Sequence, residues 1–305
     1  MLFHIMKQTA RHMKSAIPYN RFIPLSGNSD IMTTHLSALG RTVHYPDQYQ
    51  PDILQAIARA EGRHRIGLDA SPAFHGGDIW NAYELSWLNA RGKPVVALAE
   101  FDFPCDTPCL IESKTFKLYL NSFNQTRFAD TDTVLGHLRQ DLGTAAGGPV
   151  EIRLHLQDTL AQARIAEPDG TCLDLLDIDI HDYHPAPALL QCLPEAPHLE
   201  ERLYSRLLRS NCPVTGQPDW GHVEIHYRGR QIDHASLLRY IVSFRLHTGF
   251  HELCVEQIYN DIMGHCRPDE LFVYARYTRR GGLDINPWRA SHARAAPPNV
   301  RSARQ

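Results

Sequence analysis

A cysteine and an aspartate lie on either side of a turn in the segment SNCPVTGQPDWG, residues 210–221. Proline and glycine around Cys212 predict a loop, where a thiol can be exposed and still be held rigidly. The turn at Gly216 and Pro218 folds the segment back, so that Asp219 could approach the sulfur. A thiolate beside an acid suits addition to an electrophilic carbon, because the acid protonates the atom that gains negative charge. The alternative is a small buried cysteine with an aspartate that only belongs to the turn.

Three shorter motifs place charged side chains where predicted helices or hairpins begin. In FHE, residues 250–252, the Glu252 carboxylate could accept two hydrogen bonds from a guanine-like ring or could only favour the helix dipole. In ESK, residues 112–114, serine and lysine at a helix N-terminus suit a phosphate. In RRGG, residues 279–282, two arginines suit the phosphates of a dinucleotide, although an ordinary solvated hairpin tip has the same composition.

The bulk composition indicates a soluble enzyme. The 305 residues suggest two domains, and 43% hydrophobic with 21% charged residues is typical of a globular protein. A net charge of -3 and a pI of about 6.6 disfavour a nucleic-acid binder that depends on phosphate contacts. No apolar run approaches the ~18 residues of a membrane span, and the N-terminal stretch lacks the apolar region of a secretory signal.

The seven cysteines do not follow a metal-binding pattern. An odd, scattered set of cysteines indicates reduced thiols in the cytosol, and we expect a cytoplasmic location. Cys105 and Cys109 are not followed by a second ligand pair at zinc-finger spacing, and HELCV at 251–255 lacks the second histidine of a zinc-protease helix. The glycine motifs of Rossmann and P-loop nucleotide sites are also missing from the sequence. The sequence therefore predicts no metal site.

Two similar series of elements position these motifs. Each half of the chain reads as strand, strand, helix, helix, strand, strand. The helix regions that begin at 112 and 233 align at an offset of 233 − 112 = 121 residues, which matches Tyr119 with Tyr240. This favours a tandem duplication, and two unrelated amphipathic helices are the alternative. The periodic apolar positions are Phe116, Tyr119, Leu120 and Phe123 in the first helix, and Leu237, Tyr240, Ile241 and Phe244 in the second.

Six long segments together resemble the 7-cyano-7-deazaguanine reductases of queuosine biosynthesis, in their longer two-domain form. The resemblance covers roughly residues 40–290 and rests on FHGGDIWNAYELSWLN, LIESKTFKLYLNSFNQTRF, SNCPVTGQPDWG, YRGRQID, FHELCVEQIYND and YARYTRRGGLDINPWR. It implies an α+β fold of tandem tunnelling-fold (T-fold) domains, each an antiparallel sheet backed by two helices. The expected divisions are a flexible N-terminal extension (1–35), an N-terminal domain (36–185), a C-terminal domain (186–290) and a disordered tail (291–305).

The motifs of this family are divided between the two halves of the chain. The first half keeps ESK at 112–114 but lacks a Cys-Pro-x-Thr-Gly segment. The second half keeps Cys212, Asp219 and the histidine and glutamate at 251–252, but it has Asp-His-Ala at 233–235 where ESK would stand. We therefore expect a complete site where the two halves meet.

The resemblance implies a role for each motif residue. Cys212 resembles the nucleophile that adds to the nitrile carbon to give a covalent thioimide, and Asp219 resembles the proton donor. The implied contacts to the substrate are Ile111, Glu112, Ser113, His251 and Glu252. The implied contacts to NADPH are Ser113, Lys114, Arg280 and Gly281.

The implied reaction reduces the nitrile of 7-cyano-7-deazaguanine to an aminomethyl group, with two NADPH per turnover and no metal. The implied partners are the small 7-deazapurine substrate and a second copy of the chain in a homodimer, with no direct contact to nucleic acid or membrane. Two alternatives remain, a T-fold hydrolase and a non-catalytic binding protein, each for a pterin or purine. The hydrolase class often uses a zinc site of cysteine and histidine ligands.

Overall fold

The computed structural model describes residues 45–156 and 164–305. These residues form a mainly antiparallel β-sheet with helices packed on one face. They belong to one unit, Tyr45–Gln305. The expected extension at residues 1–35 lies outside the described residues. The division into two domains stays a prediction, because the strands of both halves pair within one sheet.

The described residues form eleven strands and five α-helices. The strands are β1 (Ala56–Ala58), β2 (His75–Leu88), β3 (Pro94–Pro104), β4 (Cys109–Ile111), β5 (Glu151–His155), β6 (Thr171–Cys172), β7 (His198–Ser205), β8 (Arg209–Asn211), β9 (Pro218–Arg230), β10 (Glu270–Tyr277) and β11 (Leu283–Ala290). The helices are α1 (Arg59–Arg65), α2 (Ser113–Ser122), α3 (Thr131–Ala146), α4 (His234–Ser243) and α5 (His251–Cys266).

The two halves are joined by pairing between β2 and β11. Within the described residues, the main sheet has the order β5-β3-β2-β11-β10-β9-β7-β6, and β8 pairs with the start of β9. β11 runs antiparallel to β2 from Leu283, opposite Ala82, to Ala290, opposite His75. The mixed α+β class with antiparallel pairing is thereby confirmed. Eight consecutive residue pairs hold the two halves in a fixed register, because a slip of one residue would turn every side chain to the opposite face.

The first half differs from the predicted series at its end. β5 follows the two helices as expected, and it pairs with β3. In the part of the chain that the structure describes, no second strand lies beside β5. The short β6 pairs instead with β7 of the second half, in parallel. Among the described residues, the predicted series of strand, strand, helix, helix, strand, strand is therefore not completed in the first half. Leu176, Ile178 and Ile180 alternate with polar residues there, but they form no strand.

The predicted apolar faces of α2 and α4 form the two main hydrophobic cores. In α2, Phe116 and Tyr119 are fully buried against Phe101 and Trp80 of the sheet. In α4 the equivalent stripe packs against Val273 of β10. Burial of such large side chains contributes about 2–3 kcal/mol each, so the i, i+3, i+4 pattern determines which face each helix presents to the sheet.

Two matching hydrogen-bond pairs support the tandem duplication. The Tyr119 hydroxyl donates to Oδ2 of Asp141 on the next helix at 2.6 Å, and the Tyr240 hydroxyl donates to Oδ2 of Asp261 at 2.6 Å. In both first helices a serine three residues after the tyrosine donates to the tyrosine carbonyl oxygen at 2.6 Å. The residues that are identical at the 121-residue offset thus make the same contacts in both halves.

The C-terminal segment differs from the disordered tail expected at residues 291–305. Gln305 is only 7% exposed. Its Oε1 accepts a hydrogen bond from Nε of Arg276, and its Nε2 donates to the Tyr277 carbonyl oxygen and to Oδ1 of Asn286. Its polar composition suggested disorder, but the sheet face opposite the helices is itself polar in this region. The segment is ordered because its amides and guanidinium groups find hydrogen-bond and aromatic partners on that face.

No described helix is long and apolar enough to cross a membrane.

The buried position of Phe116 yields a stability prediction. Phe116→Ala removes a ring with 0% exposure and should lower the free energy of unfolding by about 3–5 kcal/mol, through lost apolar burial and the cavity left behind. Leu175, which is 90% exposed, provides the matched control, and Leu175→Ala should change stability by less than about 0.5 kcal/mol. Urea unfolding followed by circular dichroism measures both. Equal effects of the two substitutions would contradict the assigned core.

Candidate active site

An open cleft brings the separate motifs together. Its walls come from the start of α2, the start of α5, the loop between β8 and β9, and the turn between β10 and β11. Of the residues predicted for the site, those that line the cleft are Ile111, Glu112, Ser113, Cys212, Asp219, His251, Glu252 and Arg280, whereas Lys114 and Gly281 do not line it.

Cys212 begins a tight loop that directly follows β8. Its backbone N–H donates to the Gln217 carbonyl oxygen, and the Gly216 N–H donates back to the Cys212 carbonyl oxygen, both at 2.9 Å. Gly216 has φ of +68°, a conformation that favours glycine. Asn211 donates its N–H to the His247 carbonyl oxygen at 2.7 Å, which ties the loop to the segment that leads into α5. The thiol, 8% exposed, is thus held in place by backbone hydrogen bonds.

The surroundings of the Cys212 thiol favour its ionised form. Burial raises the pKa, but hydrogen bonds from the Thr215 hydroxyl, the Val214 backbone N–H and the Arg280 guanidinium outweigh burial. The net result is a pKa below the usual value of a cysteine thiol. Hydrogen bonds donated to sulfur and a nearby cation are the ordinary means by which proteins stabilise a thiolate. The loop therefore prepares a nucleophile.

Asp219 and Arg280 form an ion pair beside this thiol. Asp219 is 4% exposed and lies on β9 opposite Ser210 of β8. Arg280 places Nη2 2.8 Å from Oδ1 of Asp219 and donates from Nη1 to Oε1 of Gln217 at 2.8 Å. Arg280 therefore connects the acid, the thiol and the end of the thiol loop. The sequence had suggested an NADPH contact for this arginine, and its position adds a direct link to the nucleophile.

His251 lies on the other side of Asp219. Its Nε2 is 3.2 Å from Oδ2 of Asp219, and its ring stacks on Tyr277 with centroids 3.9 Å apart. Neither ring nitrogen makes a well-directed hydrogen bond to any described residue. Stacking on Tyr277 therefore fixes the orientation of the His251 ring. Its two nitrogens remain available to a ligand or to the Asp219 carboxylate.

Glu252 is the deepest carboxylate of the cleft. It is 3% exposed and lies in the first turn of α5. Burial and the nearby Asp78 raise its pKa, whereas His251, the Glu252 backbone N–H and Arg59 lower it, and the net pKa is raised to about 7. Only the ionised form offers two acceptor oxygens to the N–H and amino groups of a guanine-like ring. The state of Glu252 therefore changes near neutral pH.

Glu112 has a structural role as well as a place in the cleft. Its carboxylate caps α2 by accepting hydrogen bonds from the backbone N–H groups of Lys114 at 2.9 Å and Thr115 at 2.8 Å. The Glu112 side chain thus occupies the backbone N–H groups at the N-terminus of α2. A phosphate at this helix end could therefore be bound by side chains and not by these N–H groups. Ser113 lines the cleft, but Lys114 is exposed outside it. Each Glu112 oxygen keeps a further lone pair for a ligand.

Lys117 is a cation near the cleft that the motif analysis did not single out. Burial lowers its pKa and Arg280 lowers it further, while Glu112, Cys212 and Asp219 raise it. Its side chain runs along the backbone of Gly281, where an added Cβ would lie 3.3 Å from Cδ of Lys117 and where φ is +56°. Lys117 lies four residues after Ser113 and therefore on the same face of α2, so helical spacing could have identified it.

Apolar side chains form the walls between these polar groups. Trp80 of β2, Phe250 at the N-cap of α5, and Ile285 of β11 line the cleft. Neither Trp80 nor Ile285 could be assigned to the site from the sequence, because β2 and β11 are far apart in sequence and meet only through strand pairing. Flat apolar walls with a carboxylate at one end and a thiol at the other suit a planar heterocycle.

Two other features of the described residues bear on the site. A cavity of about 400 Å³ lies between the ends of β9 and β10 and the C-terminal segment, but its walls contain no cysteine. No group of three or more His, Cys, Asp or Glu residues in 45–156 and 164–305 is placed to hold a metal ion. The cleft at Cys212 is therefore the candidate active site.

Comparisons with known proteins show the family of this chain. A family model described as "Nitrile reductase, 7-cyano-7-deazaguanine-reductase N-term" matches residues 45–154, and one described as "QueF-like protein" matches residues 218–296. The NADPH-dependent 7-cyano-7-deazaguanine reductase of Bordetella parapertussis is 55% identical over 90% of this chain and 100% of the relative. This chain belongs to the 7-cyano-7-deazaguanine reductase family. The Paraburkholderia phymatum protein of the same name is 54% identical over 90% of this chain and 100% of the relative.

A solved structure is also similar to part of the chain. The apo form of the archaeosine synthase QueF-Like is 19% identical, covers 33% of this chain and 99% of its own, and has a TM-score of 0.26. At this TM-score the likeness carries no argument. Membership of the 7-cyano-7-deazaguanine reductase family therefore rests on the family models and the reductases of high identity.

The contact between Arg280 and the thiol can be tested directly. Arg280→Met should raise the pKa of Cys212, because a cation and a hydrogen-bond donor are lost. Alkylation of the Cys212 peptide by iodoacetamide at pH 7, followed by mass spectrometry, should slow by about threefold or more. Arg279, which lies over the Tyr83 ring, serves as a matched control, and Arg279→Met should leave the rate unchanged. An unaltered rate in Arg280→Met would show that the guanidinium does not stabilise the thiolate.

Proposed function

We propose that this chain reduces the nitrile of 7-cyano-7-deazaguanine to an aminomethyl group with NADPH, as a step of queuosine biosynthesis. The observation that carries the proposal is the convergence of Cys212, Asp219 and Glu252 on one cleft. The relatives of high identity are named for this reaction. A thiol, an acid and a ring-binding carboxylate are the groups that the reaction requires.

In the first step the Cys212 thiolate adds to the nitrile carbon. A carbon–sulfur bond forms, and the electron pair of one carbon–nitrogen bond moves to nitrogen, which takes a proton from Asp219. The product is a thioimide, whose trigonal carbon accepts hydride more readily than a nitrile carbon. Asp219 is ion-paired with Arg280 in the free site, so a proton must reach it before the step, and His251 at 3.2 Å is the neighbour that can supply one.

Two hydride transfers complete the reduction. NADPH would supply the two hydrides when bound. After the first hydride reaches the thioimide carbon, Cys212 would leave as thiolate, which gives an imine. The imine carbon would take the second hydride, and a proton on nitrogen would give the amine. In total one nitrile, two NADPH and two protons give one amine and two NADP⁺. The buried cleft would keep the imine from water between the two transfers.

The carboxylate of Glu252 would orient the base. A guanine-like ring presents an N–H and an amino group side by side, and an ionised carboxylate can accept both hydrogen bonds. With this edge held at Glu252, the ring would lie between Trp80 and Phe250, and its opposite edge would point to Cys212. Ile111, Glu112 and Ser113 line the neighbouring wall and remain the further contacts that we propose.

The cations at the outer end of the cleft fit a dinucleotide. Arg280 lies at the cleft, Lys117 lies against Gly281, and Lys114 is exposed nearby on α2. Such a group of cations suits the phosphates of NADPH, which carry several negative charges. We propose that Ser113, Lys114, Arg280 and Gly281 contact NADPH and that Lys117 joins them. We further propose a cytoplasmic homodimer that needs no metal.

The covalent step gives the main test of this function. Incubation with 7-cyano-7-deazaguanine without NADPH should add the mass of the nitrile to the wild-type protein. Cys212→Ala should form no adduct and should oxidise NADPH at less than about one thousandth of the wild-type rate. Cys192→Ala provides the matched control, since this partly exposed thiol lies outside the cleft, and both adduct and turnover should persist. An adduct that survives Cys212→Ala would overturn the assignment.

Asp219 provides a test of the acid role. Asp219→Asn keeps the shape of the side chain but cannot donate a carboxylic proton, so thioimide formation should slow by about 10²- to 10⁴-fold. Stopped-flow absorbance of the adduct measures this rate, and isothermal titration of the nitrile in a Cys212→Ala background checks that ring binding is retained. Adduct formation at the wild-type rate in Asp219→Asn would remove Asp219 from the chemistry.

A further inference from the structure

A second, much smaller cavity lies beside the cleft, and we call it the inner cavity. It shares Trp80, Ile111 and Glu252 with the cleft, so the Glu252 carboxylate stands between the two spaces. Its far side is formed by Arg59 and Asp78. Neither Arg59 nor Asp78 has a role in the proposed reaction as described so far.

Arg59 faces the inner cavity with an unused donor. It is the first residue of α1 and is 2% exposed. Its Nη2 lies 2.6 Å from Oδ2 of Asp78, and its Nε donates to Oγ1 of Thr107 at 3.3 Å. Nη1 has no hydrogen-bond partner among the described residues. A buried guanidinium N–H without an acceptor is costly, which indicates that an acceptor in the inner cavity completes the arrangement.

The fully buried side chains around Arg59 carry more positive than negative charge when Glu252 is not counted. Arg59, Arg63 and Arg289 carry three positive charges, and Asp78 and Glu256 carry two negative charges, which leaves 3 − 2 = +1. All five side chains are at most 3% exposed. An ionised Glu252 supplies the missing negative charge. Buried charges are stable in proteins when they are paired, so this cluster favours a carboxylate at the inner end of the cleft.

We propose that Arg59 is a positioning residue that holds Glu252 as a carboxylate directed at the base, acting through the inner cavity. The inference rests on the proposed function, because it concerns how the same cleft grips its ring substrate. Arg59 does not touch the base in this arrangement. It acts through Glu252, since both side chains line the inner cavity and Arg59 Nη1 is buried there without a hydrogen-bond partner among the described residues.

The groups that face Glu252 agree with this role. Burial and Asp78 of β2 raise the pKa of Glu252, His251 and Arg59 lower it, and the net pKa is raised to about 7. Asp102 of β3 interacts electrostatically with Asp78, and its pKa is raised to about 6, mainly by burial and then by Asp78. Glu256 and Arg289 neutralise each other one turn along α5. Loss of the Arg59 charge would therefore raise the pKa of Glu252 and leave it protonated at neutral pH.

The sign of the pH effect follows from the hydrogen bonds. A protonated Glu252 carries a donor where the ring also carries a donor, so it cannot accept both ring hydrogen bonds. Affinity for the base should be present above the pKa of Glu252 and should fall as pH drops through it. In Arg59→Gln the same loss should begin at a higher pH.

The experiment measures noncovalent binding of 7-cyano-7-deazaguanine by isothermal titration from pH 6 to 9, in a Cys212→Ala background. Arg59→Gln should weaken binding about tenfold or more at pH 7 and should recover towards pH 9. Arg59→Lys keeps the charge and should keep most of the affinity at pH 7. Glu252→Gln removes the titrating group, so its weak binding should not vary with pH.

Arg63 provides the matched control for charge and stability. It lies one turn further along α1, and its guanidinium bonds Glu256 and the Cys105 carbonyl oxygen instead of lining the inner cavity. Arg63→Gln should shift the pH profile much less than Arg59→Gln, because the Arg63 charge is paired with Glu256 and does not line the inner cavity.

Four results would overturn the inference. They are a wild-type profile in Arg59→Gln, a loss of affinity in Arg59→Gln that is equal at every pH, an equal shift in Arg63→Gln, and a pH dependence that persists in Glu252→Gln. Absence of binding at every pH without any Arg59 substitution would overturn the proposed function together with the inference. Binding with a wild-type profile in Arg59→Gln would overturn the inference alone.

Discussion

One guanidinium, that of Arg280, lies between the two groups of the site whose protonation states matter most for the proposed chemistry. It pairs with the Asp219 carboxylate at 2.8 Å, and it is one of the donors that lower the pKa of the Cys212 thiol. A buried thiolate next to a buried carboxylate would be unfavourable without a cation, because the two negative charges would repel each other in a medium of low dielectric constant. The remaining parts of the site are arranged around this cation, which the β10–β11 turn carries.

The cleft exists because strands from opposite ends of the chain pair with one another. β2 supplies Trp80 and β11 supplies Ile285, and their antiparallel register brings the α2 start of the first half beside the α5 start of the second. Neither half contains the whole set of side chains. The tandem arrangement thereby allows Glu112 to cap a helix while Glu252 occupies the deep end of the cleft, so two carboxylates serve different purposes in one site.

The sequence predicted what depends on local pattern and on motif recognition. The helical faces at Phe116 and Leu237 follow from a 3.6-residue period, and the thiol loop follows from proline and glycine around Cys212. The position of Lys117 near the cleft could have been predicted from its helical spacing to Ser113. The position of Arg59 beside Asp78 could not have been predicted, because it depends on how α1 packs against residues that are distant in sequence. The ordered C-terminal segment was missed for a similar reason, since its polar side chains are satisfied by a distant face of the sheet.

The central claim is that one cleft holds the ring at Glu252 and presents its nitrile to Cys212. A crystal structure of the wild-type protein soaked with 7-cyano-7-deazaguanine, without NADPH, tests it most directly. The account predicts continuous electron density from the Cys212 sulfur to the former nitrile carbon, with the amino edge of the ring within hydrogen-bonding distance of the Glu252 carboxylate. A ring bound outside this cleft, or bound within it with the nitrile turned away from the sulfur, would contradict the account.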